Sequence, residues 1–230
     1  YGFERPVLSQ EYGYLQLFGY ILVATAIAVL ITIFGLALLW RIVFFLSTLF
    51  CLTLAFSAFI PDNPAFILAI LFSFAQIFRI SIILHNFTEL FIYGGLAALF
   101  VPSLSLYSTT ILLILISIYD AIAVWKTKHM IKLAKFQSKV KTFAGLVIPY
   151  KKRTAILGGG DIGFPLLFAA VSMNTFSLGL LDWRTYIIPV CAGLLLLALF
   201  VKGEKKKYYP AMPYISLGCA LGLVVLLLFI

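Results

Sequence analysis

The chain has 230 residues, of which 63% are hydrophobic and 11% charged, with a mean hydropathy of +1.13 and a formal net charge of +9. Soluble domains are about half apolar and about a quarter charged, so a soluble globular fold is excluded. At about 20 apolar residues per crossing of a ~30 Å hydrocarbon layer, the length allows about eight helical spans with short connections, as in an all-α polytopic membrane protein.

Eight apolar runs read as helices, at about 14–40, 42–60, 64–84, 89–102, 104–125, 154–176, 184–201 and 209–230. A membrane β-barrel would need alternating polar and apolar residues, whereas Leu15–Trp40 and Gly193–Val201 are apolar on every side. Between the fourth and fifth runs Pro102 predicts a tight turn, which leaves the fourth span short, tilted or partly buried. The chain begins at Tyr1 with no secretory signal ahead of the first run, so an N-terminal piece is expected to be missing.

Basic residues are concentrated. Nine lie between Lys126 and Arg153 with no acid among them, and four more between Lys202 and Lys207, together 13 of the 17 Lys and Arg. Two spans separate these segments, so both face one side, which the positive-inside rule makes cytoplasmic. Arg79 then falls near an inner span end, Arg41 sits between the first two spans on the inner side, and Tyr1–Gln10 starts outside. This topological reading displaces nucleic-acid binding, which would call for a soluble basic surface with interleaved aromatic residues. Met130–Val147 reads either as an interfacial amphipathic helix, with apolar residues at helical spacing between lysines, or as a linker.

Cys51, Cys191 and Cys219 each lie inside apolar runs, so no disulfide framework is expected. His85 and His129 stand apart from any Cys or His cluster, and neither a metal nor a cofactor is called for.

Of the eight acidic residues, Glu4, Glu11, Asp62, Glu89, Asp182 and Glu204 fall at or near predicted span ends or in loops, where water can reach them. Asp120 and Asp161 fall inside spans, where an ionisable group is costly and marks a functional site, and no Lys or Arg is expected inside the spans to pair with them. At helical rise Asp120 stands about 9 Å from Lys126 and Asp161 about 12 Å from Arg153. Equal depth on two antiparallel helices would let the carboxyls meet and share one proton, one acting as base and the other as acid. A proton or cation relay, or a structural hydrogen bond between two acids, fits the pair alone equally well.

Flanking residues add to it. Gly158-Gly159-Gly160 precede Asp161, and a glycine triplet loosens a helix and clears space in which an extended substrate backbone fits. Tyr119 precedes Asp120 and carries a hydroxyl near the site. The last span opens with Pro210-Ala211-Met212-Pro213, whose prolines leave backbone carbonyls unpaired, tolerated at membrane depth beside a polar cavity.

At these residues the sequence resembles the presenilin and signal peptide peptidase family of intramembrane aspartyl proteases. Its marks are a Tyr-Asp pair on one span, Gly-x-Gly-Asp on the next and Pro-Ala-Leu opening the last, matched by Tyr119-Asp120, Gly158-Gly159-Gly160-Asp161 and Pro210-Ala211-Met212. The match is good from about residue 104 onward, and before that rests on the span count. Met212 departs from Leu, a volume-conserving change. The resemblance implies nine spans in the intact chain and an Asp120/Asp161 dyad with an activated water that cuts peptide bonds within substrate transmembrane helices. It also implies action in the lipid bilayer of a cell membrane, in the manner of a microbial, archaeal homologue. Pro213 and the cytoplasmic placement of the 126–153 loop resemble presenilins more than signal peptide peptidases.

The expected organisation is an N-terminal bundle at 1–125, the basic loop at 126–153, and a C-terminal bundle at 154–230. A prepilin-type peptidase is the nearest rival, but a Lys typically follows its glycine motif, where Ile162-Gly163-Phe164 stand here. A proton-coupled transporter using both acids as a relay would call for inverted repeats and paired broken helices, and the chain has neither pattern. No serine or zinc protease string occurs. Substrate identity and oligomeric state are not legible.

Overall fold

The computed structural model describes residues 12–78, 81–140, 142–150, 153–202 and 209–230. Glu4, Glu11, Arg79, Glu204 and Lys205–Lys207 lie outside them.

Among the described residues the chain forms helices α1 (Gly13–Ile33), α2 (Ala37–Ser57), α3 (Asp62–Phe78), α4 (Ile82–Phe100), α5 (Leu106–Ile122), α6 (His129–Val140), α7 (Gly159–Thr175), α8 (Ile187–Lys202) and α9 (Met212–Leu227). Strands β1 (Gly145–Tyr150) and β2 (Arg153–Gly158) lie between α6 and α7. Each of the eight predicted spans holds one of these helices, α1–α5 and α7–α9. Five are long and apolar enough to cross a membrane: Gly13–Ile33, Ala37–Ser57, Ile82–Ser103, Leu106–Thr127 and Trp183–Val201. Their large apolar side chains are widely exposed, Leu38, Ile83 and Val201 among them, as a lipid solvent permits and water does not.

Several boundaries depart from the sequence expectation. The fourth helix starts at Ile82 and is not short, because His85, Asn86, Thr88 and Glu89 look like a loop in composition but are helical. Thr88 illustrates why a span tolerates them: its hydroxyl donates to the Leu84 carbonyl at 2.8 Å, one turn back. Arg41 lies within α2 rather than between spans. The amphipathic helix is real but stops at Val140, with Leu133 and Val140 as its buried residues.

The largest correction concerns residues 154–158, expected to be helical, which are a strand. Hydropathy cannot separate a short apolar strand from a helix. Val147 and Ile148 on β1 and Ile156 on β2 are β-branched residues of the kind that favours a ladder, and Val147 pairs directly with Ile156. The estimate of Asp161's depth from helical rise therefore does not hold, since an extended residue advances about 3.3 Å.

The described residues divide into two compact units. One takes those within Val23–Phe100 and Ile131–Gly163, the other those within Val7–Leu22, Val101–Met130 and Phe164–Ile230.

In the first unit α2, α3 and α4 pack around Leu52, Phe56, Ala65 and Ala69. Gly95 of α4 lies so close to α2 that a Cβ there would run into the Cys51 carbonyl. The hairpin is tied to these helices by side chains that satisfy its backbone. Ahead of it, Trp40 Nε1 donates to the Thr142 carbonyl at 3.4 Å and Arg41 Nη2 to the Val140 carbonyl at the end of α6 at 3.4 Å. Asn86 acts as a surrogate strand, donating to the Val147 carbonyl at 2.8 Å and accepting from the Val147 amide at 2.9 Å. His85 Nε2 donates to the Gly145 carbonyl at 2.9 Å.

Register follows from these bonds. Val147 and the Gly145 carbonyl turn away from β2, so these are the positions that do not bond across the ladder. Their partners Ile156 and Gly158 thus turn their peptide groups to the outer edge of β2. Among the described residues no further strand pairs with that edge, since the sheet there has two strands.

In the second unit α8 and α9 meet through small residues. A Cβ on Gly218 would stand 2.6 Å from Ala192 Cα, and one on Gly222 2.7 Å from Ile188 Cα. Close backbone approach through glycines four apart gives van der Waals contact where lipid supplies no hydrophobic drive between helices. Helix α5 opens on Ser105, whose hydroxyl accepts from the Ser108 amide at 3.1 Å. It meets α9 through Ser117, which donates to Ser216 Oγ at 2.7 Å. Between α7 and α8, the Arg184 side chain binds the Asp182 carboxyl through both of its oxygens, and these hydrogen bonds hold it below the usual carboxylate range.

Candidate active site

Asp120 sits in the last turn of α5, and the chain continues as a π-helical turn at Ala123–Thr127 before Lys128 reverses it with φ 55°. Such π turns recur at functional positions because they re-aim the preceding side chains. The Asp120 carboxyl is half-buried and accepts from the Met212 amide at 3.2 Å through Oδ2, with the Ala211 amide close by. These are amide groups at the N-terminal end of α9, which have no carbonyl one turn back to bond. Pro213, in the first turn, adds no further unbonded N–H. Pro210 is buried just ahead of the helix. The motif at 210–213 therefore meets Asp120 through its backbone, and Met212 is a buried side chain of α9.

Tyr119 is placed differently from expectation. Its hydroxyl pairs with His129 Nε2 at 2.9 Å, while His129 Nδ1 pairs with Thr127 Oγ1 at 2.5 Å. His129, which looked isolated in sequence, thus ties Tyr119 to the segment after the π turn.

Asp161 lies in the first turn of α7 and is half-buried. The glycine triplet does not loosen a span as expected: Gly158 ends β2, while Gly159 and Gly160 open α7. Its use is spatial. A Cβ on Gly158 would stand 3.2 Å from Asp161 Oδ2, and one on Gly159 would stand 3.3 Å from both the Ala144 carbonyl and the Tyr93 hydroxyl. The Gly159 amide donates to Ala144 at 3.1 Å and so joins the first turn of α7 to the base of the hairpin. At that base Gly145 has φ +145°, and a Cβ there would overlap the Leu157 carbonyl.

A polar stripe on α4 backs this turn. His85, Glu89 and Tyr93 recur every four residues and are 4%, 0% and 4% exposed. Glu89 was expected near a span end in reach of water and is instead fully buried, accepting from Gln76 Nε2 of α3 at 2.6 Å. The signal in the sequence was that spacing of four, which puts polar side chains on one helix face.

One acid thus accepts from the first amides of α9 at the end of α5, and a second, half-buried, lies at the head of α7. Residues 14–230 match the family model described as signal-peptide peptidase, presenilin aspartyl protease, and the chain belongs to that family of intramembrane hydrolases. Two solved structures, described as a presenilin family intramembrane aspartate protease in C222 and in P2 space groups, share its fold. The first has 23% identity and a TM-score of 0.70, covering 100% of this chain and 89% of that one. The second has 22% identity and a TM-score of 0.66, covering 99% and 88%. A search of curated proteins gave no match. Membership of this family displaces the prepilin peptidase and carrier readings.

Proposed function

We propose that Asp120 and Asp161 form the catalytic dyad of an aspartic endopeptidase that hydrolyses peptide bonds within substrate transmembrane helices. One carboxylate takes a proton from a water molecule, which attacks the scissile carbonyl, while the other, protonated, donates to that carbonyl oxygen. The proton taken from water is then passed to the departing amine. The amides at the start of α9 orient Asp120, and Gly158 leaves room for the Asp161 carboxyl.

The observation that carries this reading is the continuity of β2 with the first turn of α7. A helix cannot be cut while its peptide groups are folded on themselves, and an unwound segment in a bilayer must satisfy every exposed N–H and C=O. The outer edge of β2, three residues from Asp161, supplies a row of such partners, and a substrate added there as a strand would pass its backbone along the acid. Incubating the detergent-purified chain with a single-span reporter helix and mass-analysing the products tests the reading: two fragments separated by one hydrolysed bond support it, and an intact reporter overturns it.

In this reading the protein sits in a cell membrane with its basic segments in the cytoplasm, following the bias of 13 of 17 Lys and Arg. A Cys placed at Ser138, exposed on α6, and another at Gly203 are expected to react with an impermeant thiol reagent from the cytoplasmic face only. Labelling of either from outside would reverse the orientation.

A further inference from the structure

Tyr93 is 4% exposed, and its hydroxyl meets no described residue in good hydrogen-bond geometry; the Glu89 carboxyl beside it is an acceptor within interacting distance but poorly placed. Glu89 Oε2 likewise meets no donor in good geometry, though the Tyr93 hydroxyl and the Gly145 backbone lie near the carboxyl, while Oε1 is taken by Gln76. Buried polar atoms left unbonded lower stability, and a native fold that keeps one calls for an explanation. Its surroundings supply one. The Tyr93 hydroxyl faces Gly159, where a Cβ would stand 3.3 Å away, and its ring faces Gly163, where a Cβ would stand 3.9 Å from Cδ1. These glycines flank Asp161, whose carboxyl is within Coulombic reach of the hydroxyl. Any side chain at Gly159 would press on the tyrosine, so the triplet that clears space around Asp161 also admits the hydroxyl to the first turn of α7.

We propose that Tyr93 is a positioning residue for Asp161: its unspent hydroxyl donates to the Asp161 carboxylate when substrate occupies the site, fixing the rotamer in which that acid works. Hydrogen bonds of catalytic groups are commonly long or unmade in the empty enzyme and tighten only around the substrate. Glu89 has a supporting part. It is held by Gln76 from α3 and lies beside the Tyr93 hydroxyl. This inference rests on the assignment of Asp161 to the dyad and extends it to a third residue, on a helix that carries neither acid.

The test is Tyr93→Phe in the full chain, which removes one oxygen and keeps the ring. If the tyrosine only packs α4 against α7, loss of an unbonded buried hydroxyl leaves cleavage unchanged and the melting temperature equal or higher. The proposal expects that same melting behaviour with KM within about twofold and kcat lower by about tenfold or more, the fold-change of a lost hydrogen bond to a charged group. Affinity for a hydroxyl-bearing transition-state mimic should fall in proportion to kcat. A kcat within twofold of wild type overturns the proposal, as does a loss of activity matched by a lower melting temperature. Asp161→Asn, assayed alongside, separates the two readings. An inert Asp161→Asn beside a fully active Tyr93→Phe overturns this inference alone, whereas a fully active Asp161→Asn overturns the dyad and this inference together.

Discussion

Asp120→Asn and Asp161→Asn are each expected to lower the rate of reporter cleavage by at least about 10²–10⁴-fold, the contribution of general acid–base catalysis. Asparagine keeps the size and the carbonyl oxygen of the acid, so the amide side chain of the Asp120→Asn variant can still accept from the Met212 N–H, which Asp120 holds at 3.2 Å. It can neither take a proton from water nor share one with its partner. Folding is expected to survive both changes, because each removes an ionisable group from a membrane interior, where ionisation is costly. Wild-type cleavage should follow a bell-shaped pH profile set by the pair as a unit, with apparent constants that belong to neither acid alone. Purified, folded Asn variants that still cut near the wild-type rate would remove the dyad from the mechanism.

Ile156→Pro is expected to slow cleavage by about tenfold or more in kcat/KM while sparing the hairpin. Ile156 pairs with Val147 at a position that does not bond across the ladder, so its N–H faces the outer edge of β2 and proline removes no bond between the strands. On the outer edge the same ring deletes a donor worth ~1 kcal/mol to an added strand, and its bulk keeps that strand from closing onto its neighbours. Ala155→Pro is the contrasting variant. Ala155 pairs with Ile148 at a bonded position, so proline there breaks the hairpin itself and should lower thermal stability as well. A reporter cut at the wild-type rate by a folded Ile156→Pro protein would show that substrate does not use this edge.

The sequence alone determined the class of fold and the residues worth suspecting. Hydropathy summed over twenty residues is a strong signal, because the bilayer accepts only elements that bury their own backbone groups. Helices α1–α5 and α7–α9 accordingly appear at the apolar runs, although the run from 154 opens with β2. Asp120 and Asp161 stand out as candidates because a carboxyl inside such a run is conspicuous. Tyr119 and the motifs at 158–161 and 210–213 were legible as strings, but what they touch was not. Only the tertiary structure decided that Tyr119 pairs with His129, that Met212 offers its amide rather than its side chain to Asp120, and that Gly158 yields space to a carboxyl.

Tertiary structure also decided that residues 153–158 are a strand. A short apolar run is compatible with either element, and what selects the strand is its pairing with Gly145–Tyr150, held in turn by Asn86 and His85 from a helix some sixty residues earlier. The same non-local contacts explain Glu89. In sequence it stands among polar residues that look like a loop. In the fold their spacing of four sets His85, Glu89 and Tyr93 on one face of α4, against the hairpin base and the head of α7. Local pattern reports how a segment can bury itself, whereas the partner it is buried against comes from elsewhere in the chain and appears only once the helices have packed.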